Sequence, residues 1–152
     1  MTVVSKPKYS TPAQLTITLA SLASSTTGVG RQSTLVDNST AQHTVVHVYG
    51  KFVTNGSDAP TAGKSIFIYL IKGDGTRRTD GAGATDEALT RKTATLLRTI
   101  PVTADLAANY DFDLTIYDPG PEWGLLVTQD TEQTLNDNDN AIYYVGEQME
   151  HE

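Results

Sequence analysis

Apolar and polar residues alternate with a period of two along most of this chain, and little of it carries the period of a helix. In "QLTITLASL", Leu15, Ile17 and Leu19 alternate with Thr16 and Thr18, which predicts a half-buried strand. "HTVVHVYGKFVT" is the longest candidate and places Val46, Val48 and Phe52 on one side. "NYDFDLTIYD" sends Tyr110, Phe112, Leu114 and Ile116 inward and Asp111, Asp113 and Thr115 outward. "TATLLRTIPV" predicts a strand ending near Pro101, "PGPEWGLLVTQ" a turn and then a strand through Trp123, Leu125 and Val127, and "AIYYVG" a closing strand. "KSIFIYLIK" departs from the pattern: Ile66, Ile68 and Leu70 occupy one face, yet Phe67, Tyr69 and Ile71 make the other apolar too. A strand solvated on one side should be polar there, so a loop, an arm or another subunit is expected to cover that second face. About eight short strands with so little helical periodicity describe an all-β, single-domain β-sandwich or jelly roll.

Between the strands lie segments of other character. "MTVVSKPKYSTP" sets Val3, Val4 and Tyr9 among Lys6, Pro7, Lys8 and Pro12; the prolines favour extended backbone, so residues 1–13 are expected to be an arm able to lie on a neighbouring molecule. The sandwich is expected over 14–147, and 148–152 as an acidic tail. "GVGRQSTLVDNST", residues 28–40, has no apolar face: Ser33, Leu35 and Asp37 share one side, and Thr34, Val36 and Asn38 the other. Arg31 and Asp37 have the same parity but would lie roughly 20 Å apart on a strand, so each needs a partner elsewhere in the fold or on another chain. Asp37-Asn38-Ser39 is a natural turn, because Asx side chains bond the backbone just ahead. Residues 73–94, rich in Gly, Thr and Asp, are expected to form a long exposed loop with a short helical turn at Asp86–Leu89.

Charge adds a second division. The chain has 152 residues, a size at which folding buries roughly 70% of the extended surface, and no cysteines. Its 18 acidic and 11 basic side chains give −7, which speaks against a nucleic-acid partner. Every Lys and Arg lies at or before Arg98, so residues 1–98 carry +5 and residues 99–152 carry −12. Either this is a solvated acidic surface, or opposite surfaces meet between molecules, with Lys6 and Lys8 on the arm and Glu147, Glu150 and Glu152 near the tail. No apolar run is long enough to span a bilayer and no secretion signal is recognisable, so no membrane partner is expected.

Candidate chemistry is sparse. "NDNDN", with Asp130 and Glu132 upstream, resembles a Ca²⁺ loop only faintly, lacking the loop glycine and terminal Glu. His43 and His47 would sit roughly 13 Å apart on one strand face, too far to share a metal. Asp111 and Asp113 form a carboxylate pair on a face that reads as solvated, no serine lies in a GxSxG elbow, and "GDGTRRTDGAGATD" lacks the GK[ST] of a P-loop. No catalytic residue, cofactor site or metal site is expected. The candidate partner-interface residues are Val3, Val4, Lys6, Lys8, Tyr9, Arg31, Asp37, Phe67, Tyr69 and Ile71.

Two stretches resemble small jelly-roll virion proteins of tailed bacteriophages, the head proteins of the capsid decoration or cement type. One is Gly30-Arg31-Gln32-Ser33-Thr34 with Val36-Asp37-Asn38; the other is Trp123-Gly124-Leu125-Leu126-Val127, shortly before a strand with Tyr143-Tyr144 and Gly146. The resemblance implies a structural protein that binds the major capsid protein non-covalently on the outer surface of the capsid, as a homotrimer, without enzyme activity. The 73–94 loop and "GEQMEHE" do not match it. The alternative is a carbohydrate- or receptor-binding sandwich of a tail or fibre, which a surface row of aromatics beside Trp123 would favour.

Overall fold

The structure, a computed structural model, describes residues 5–74, 85–88 and 94–151. Its strands are β1 (Ser5–Tyr9), β2 (Ala13–Gln14), β3 (Val29–Gln32), β4 (Val36–Asp37), β5 (Val45–Val53), β6 (Ser65–Gly73), β7 (Glu87–Ala88), β8 (Thr95–Pro101), β9 (Asn109–Tyr117), β10 (Glu122–Gln129) and β11 (Ala141–His151). No helix occurs among the described residues. One sheet, here sheet A, runs β1-β11-β5-β9 with β2 also on β11; sheet B runs β7-β3-β10-β6-β8 with β4 also on β10. Setting aside the two-residue strands leaves eight strands, and their interleaving, first beside last in one sheet and second beside seventh in the other, is that of a jelly roll. The expected all-β sandwich is the fold.

The alternation read from the sequence places the core. Val46, Val48, Phe52, Phe112, Ile116 and Ile142 of sheet A meet Ile66, Ile68, Trp123, Leu125 and Val127 of sheet B in one buried cluster. Each large apolar side chain buried completely contributes about 1.5–3 kcal/mol, so this layer supplies most of the driving force. Phe52 and Phe112 stack at 4.9 Å, and the Tyr144 ring meets Trp123 edge-on at 5.1 Å. Gly50 sits where a Cβ would come within 2.5 Å of the Ala141 carbonyl and 2.9 Å of the Phe112 ring, so close strand packing requires glycine there.

Several segments differ from expectation, each for a physical reason. Residues 15–19 alternate in burial but form no strand: the Leu15 N–H bonds the Ile142 carbonyl in sheet A, while the Thr16 carbonyl accepts from the Thr34 N–H beside sheet B. A segment crossing between layers cannot keep a ladder with either. The expected helical turn at Asp86–Leu89 is instead β7, paired antiparallel with Val29 and Gly30 of β3; Leu89 lies outside the described residues. The arm and the tail are not separate appendages. Ser5–Tyr9 pairs residue by residue with Glu147–His151, and Ala13–Gln14 pairs with Tyr143 and Tyr144. β5 reaches only as far as Glu147, so beyond it β1 and the end of β11 form a two-stranded ribbon.

Candidate functional site

The two stretches far apart in sequence, 30–38 and 123–127, are partners in one ladder. Arg31 lies opposite Val127, Gln32 opposite Leu126, and Val36 opposite Trp123. Between β3 and β4 the chain bulges, and Ser33 bridges the gap. Its N–H bonds the Leu125 carbonyl at 2.9 Å, and its Oγ accepts the Leu125 N–H at 3.0 Å while donating to the Thr34 carbonyl at 2.8 Å. Gly124 is required opposite this bulge, since a Cβ there would lie 2.7 Å from Ser33 Oγ and 2.9 Å from the Leu35 side chain. Asn38 is buried and closes the end of the sandwich: its amide donates to the His43 and Gly120 carbonyls at 3.0 and 2.9 Å and accepts the His43 N–H at 2.9 Å.

Arg31 and Asp37 both find partners within the chain. The Arg31 guanidinium bonds Asp86 at 2.5 Å and the carbonyls of Thr18, Ala20 and Ser21, fastening the crossing segment to sheet B. Asp37 accepts the Ser39 N–H at 2.8 Å in the expected Asx turn; hydrogen bonds from the Ser39 hydroxyl and then its backbone hold the carboxyl below its usual value. Both residues, expected to need a partner elsewhere in the fold or on another chain, find one within the fold.

The second apolar face of β6 is also closed from within. Tyr69, Ile71 and Leu126 form a buried cluster on the outside of sheet B, with Leu35, Phe67 and Ala94 packed against it. Phe67, Tyr69 and Ile71 were expected to meet a partner; Tyr69 and Ile71 are buried, and Phe67 remains half-buried. Val3 and Val4, expected on the same interface, lie outside the described residues.

The open surface lies on the opposite side of the molecule. Among the described residues seven large apolar side chains are exposed, and five of them, Tyr9 (58%), Tyr49 (39%), Tyr117 (75%), Tyr143 (38%) and Met149 (49%), belong to strands of sheet A, on its outward-facing positions. The registers assemble them into rows. Tyr143, Tyr49 and Asp113 lie side by side; next come Val145, His47 and Thr115; then Tyr9, Glu147, Val45 and Tyr117; then Pro7 and Met149 on the ribbon. The face spans roughly 20 Å along the strands and about 14 Å across. Tyr49 and Tyr143 stack at 5.9 Å with planes 16° apart, and the Tyr9 ring lies 6.1 Å from the His47 ring. Of the interface candidates among the described residues, only Tyr9 falls on this face; Tyr49, Tyr117, Tyr143 and Met149 were not among the candidates. Their parity signal was present, because they alternate with core positions in the strands already recognised.

Polar groups subdivide the surface. His47 Nε2 lies 3.0 Å from a Glu147 oxygen. On the other side of the ribbon Lys8 bonds Glu150 at 2.9 Å, and that bond, then the charges of Lys8 and Lys6, hold the Glu150 carboxyl below its usual value. Lys8 of the arm and Glu150 of the tail therefore meet within one chain. Asp111 and Asp113, on edge strand β9, form no ion pair among the described residues.

The other candidates resolve simply. The two histidines do not share a strand face: His43 precedes β5 and packs its ring over Gly146, where a Cβ would fall 2.1 Å from it, and burial lowers its pKa. In the 136–140 loop, Asn136 caps the Asn138 N–H, Asn140 takes the Val53 N–H, and Asp137 accepts from Ser21. Trp123 is fully buried in the core and offers no surface for stacking. A cleft of about 460 Å³ lies at one end of the sandwich, lined by Asn38, His43, Thr44, Asp118 and Pro121 among others.

No protein family and no curated protein matches the chain. A solved structure described as "Structure of infectious bursal disease virus Gt strain" aligns with 97% of this chain at 11% identity and a TM-score of 0.31. The chain spans 30% of the length of that protein.

Proposed function

We propose that this chain is a structural virion protein that attaches non-covalently to the capsid shell through the outer face of sheet A, as a decoration or cement protein. The observation that carries the reading is the inequality of the two outer faces: sheet B closes its second apolar layer with its own residues, while sheet A leaves Tyr9, Tyr49, Tyr117, Tyr143 and Met149 in solvent. Tyrosine and methionine side chains gathered in solvent on one face, with polar groups set among them, are a feature of surfaces that bind other proteins. The jelly-roll strand order agrees with a virion role by analogy, since viral capsid and lectin domains both use it. Its role in this reading is attachment, not catalysis.

The phage-protein resemblance extends the proposal to a homotrimer on the outer surface of the shell, bound to the major capsid protein. Shells of the encoding virus prepared without this protein should retain the purified chain on co-sedimentation, and sedimentation of the free protein should give the trimer's mass. The second reading, a carbohydrate-binding module, has one specific observation in its favour, the exposed Tyr49–Tyr143 pair. Retention by immobilised host glycans together with indifference to the shells would establish that reading instead.

A further inference from the structure

We infer that the surface received by sheet A is an apolar protein patch bordered by lysine or arginine side chains, and that the β9 edge lies against that border. The inference rests on the attachment reading and adds the partner's chemistry.

The argument begins with where the chain's charges are spent. Along the sequence, basic residues end at Arg98 and acidic ones accumulate after it, but folding interleaves the two halves. Lys8 is bonded to Glu150, Arg31 to Asp86, Lys64 lies 3.6 Å from Glu132, and Lys72 bonds the Asp118 carbonyl. Each of these cations already has an acceptor within the chain. Asp111 and Asp113 lack an ion pair among the described residues, and both stand at the margin of the apolar face, Asp113 directly opposite Tyr49.

Docking an apolar patch onto Tyr49, Tyr143 and Val145 would strip water from that margin. A carboxylate desolvated without a counter-charge opposes binding strongly, whereas one that meets a cation steers the encounter and fixes its register. A second copy docking face to face serves poorly. The lysine this face offers is Lys51, which lies opposite Asp111 on the neighbouring strand, and His47 is already against Glu147. Two such faces would bring together more carboxylates than cations. A partner with a basic rim meets the unpaired charge; a partner with an acidic rim is rejected by it.

The experiment uses shells prepared without this protein and compares wild type with D111K/D113K, Y49S/Y143S and, at an exposed position on sheet B, Leu96→Ser. Unfolding curves first establish that each variant is folded; all the altered side chains are exposed in the free protein. D111K/D113K should bind about tenfold or more weakly at low salt, mainly through a slower association rate, with the deficit shrinking near molar salt. Y49S/Y143S should lose binding at every salt concentration, and Leu96→Ser should bind as wild type does. Wild-type binding with D111K/D113K equal or tighter would overturn the basic rim while leaving attachment intact. Dimerisation of the free protein at micromolar concentration, abolished by Y49S/Y143S, would assign the face to a second copy and also overturn it. Failure of the wild type to bind shells would remove the attachment reading, and this inference with it.

Discussion

The two outer faces of the sandwich start from similar material and end differently. On sheet B, the outward side chains Phe67, Tyr69 and Ile71 of β6 and Leu126 of β10 are apolar, and the chain folds Leu35 and Ala94 over them until Tyr69, Ile71 and Leu126 are buried. On sheet A, the outward side chains of β5, β9 and β11 alternate tyrosine and valine with Asp, Thr and Glu, and the rows stay open. Tyrosine is suited to such a position, because its ring offers apolar area while its hydroxyl remains hydrated until a partner arrives. One face completes the fold, and the other stays in solvent. A face apolar enough to need covering was covered by its own chain, so strong apolarity in the sequence marked a layer of the fold itself.

The largest expected difference between the faces is in stability. Ile71→Ala or Leu126→Ala should cost about 2–5 kcal/mol in denaturant unfolding, because each empties a fully buried site. Tyr49→Ser or Tyr143→Ser should cost less, about 0.5–1.5 kcal/mol, the worth of the stacked cross-strand pair. Equal losses on both faces would break the comparison.

What the sequence showed of this contrast follows from what alternation encodes. In β5, β9 and β10 it identified the side chains that share a face, and Val46, Phe52, Phe112 and Leu125 all point into the core. Parity cannot say which of two faces a distant segment will cover. That depends on the bulge at Ser33, which brings Leu35 over sheet B, and on the long-range pairing of β1 with β11. Arm and tail looked separate because their register joins residues more than a hundred positions apart. The same limit applied to Arg31, whose partners Thr18, Ala20 and Asp86 come from two other segments.

A smaller effect sharpens the account of the closed face. Gly124→Ala forces a methyl against Ser33 Oγ and Leu35, the elements that carry the cover, and should cost about 1–3 kcal/mol. The same unfolding measurement should show that adding Ser33→Ala relieves part of that loss, and full additivity would place the clash elsewhere.

Removing residues 1–9 tests the ribbon. All five residues of β1 are exposed and pair only with β11, so the shortened chain should keep a cooperative unfolding transition near the original midpoint. It should nevertheless bind shells more weakly, having lost Pro7 and Tyr9 from the face. Loss of the cooperative transition would make β1 part of the core.

The smallest expected effect depends on pH and is confined to sheet A. Burial lowers the His43 pKa from its usual 6.5, so the folded state favours the neutral ring. Its contribution to stability is complete above 6.5 and is lost as pH falls below that value through the lower folded pKa. Amide protection factors in β11 near Gly146, over which the ring packs, corrected for the intrinsic pH dependence of exchange, should fall across that window, while those in β6 and β10 stay unchanged. His43→Gln should remove the dependence. The carboxyls of Asp37, Glu132 and Glu150 are also held low, but their usual values of 3.8, 4.5 and 4.5 place their losses at lower pH.

The central claim, that the outer face of sheet A is the attachment surface, is tested most directly by oxidative footprinting of the protein free and bound to shells. The account predicts protection of Tyr49, Tyr117, Tyr143 and Met149 on binding, with Leu96 and Leu106 equally reactive in both states. Protection of Leu96 and Leu106, with the sheet A tyrosines unchanged, would contradict it.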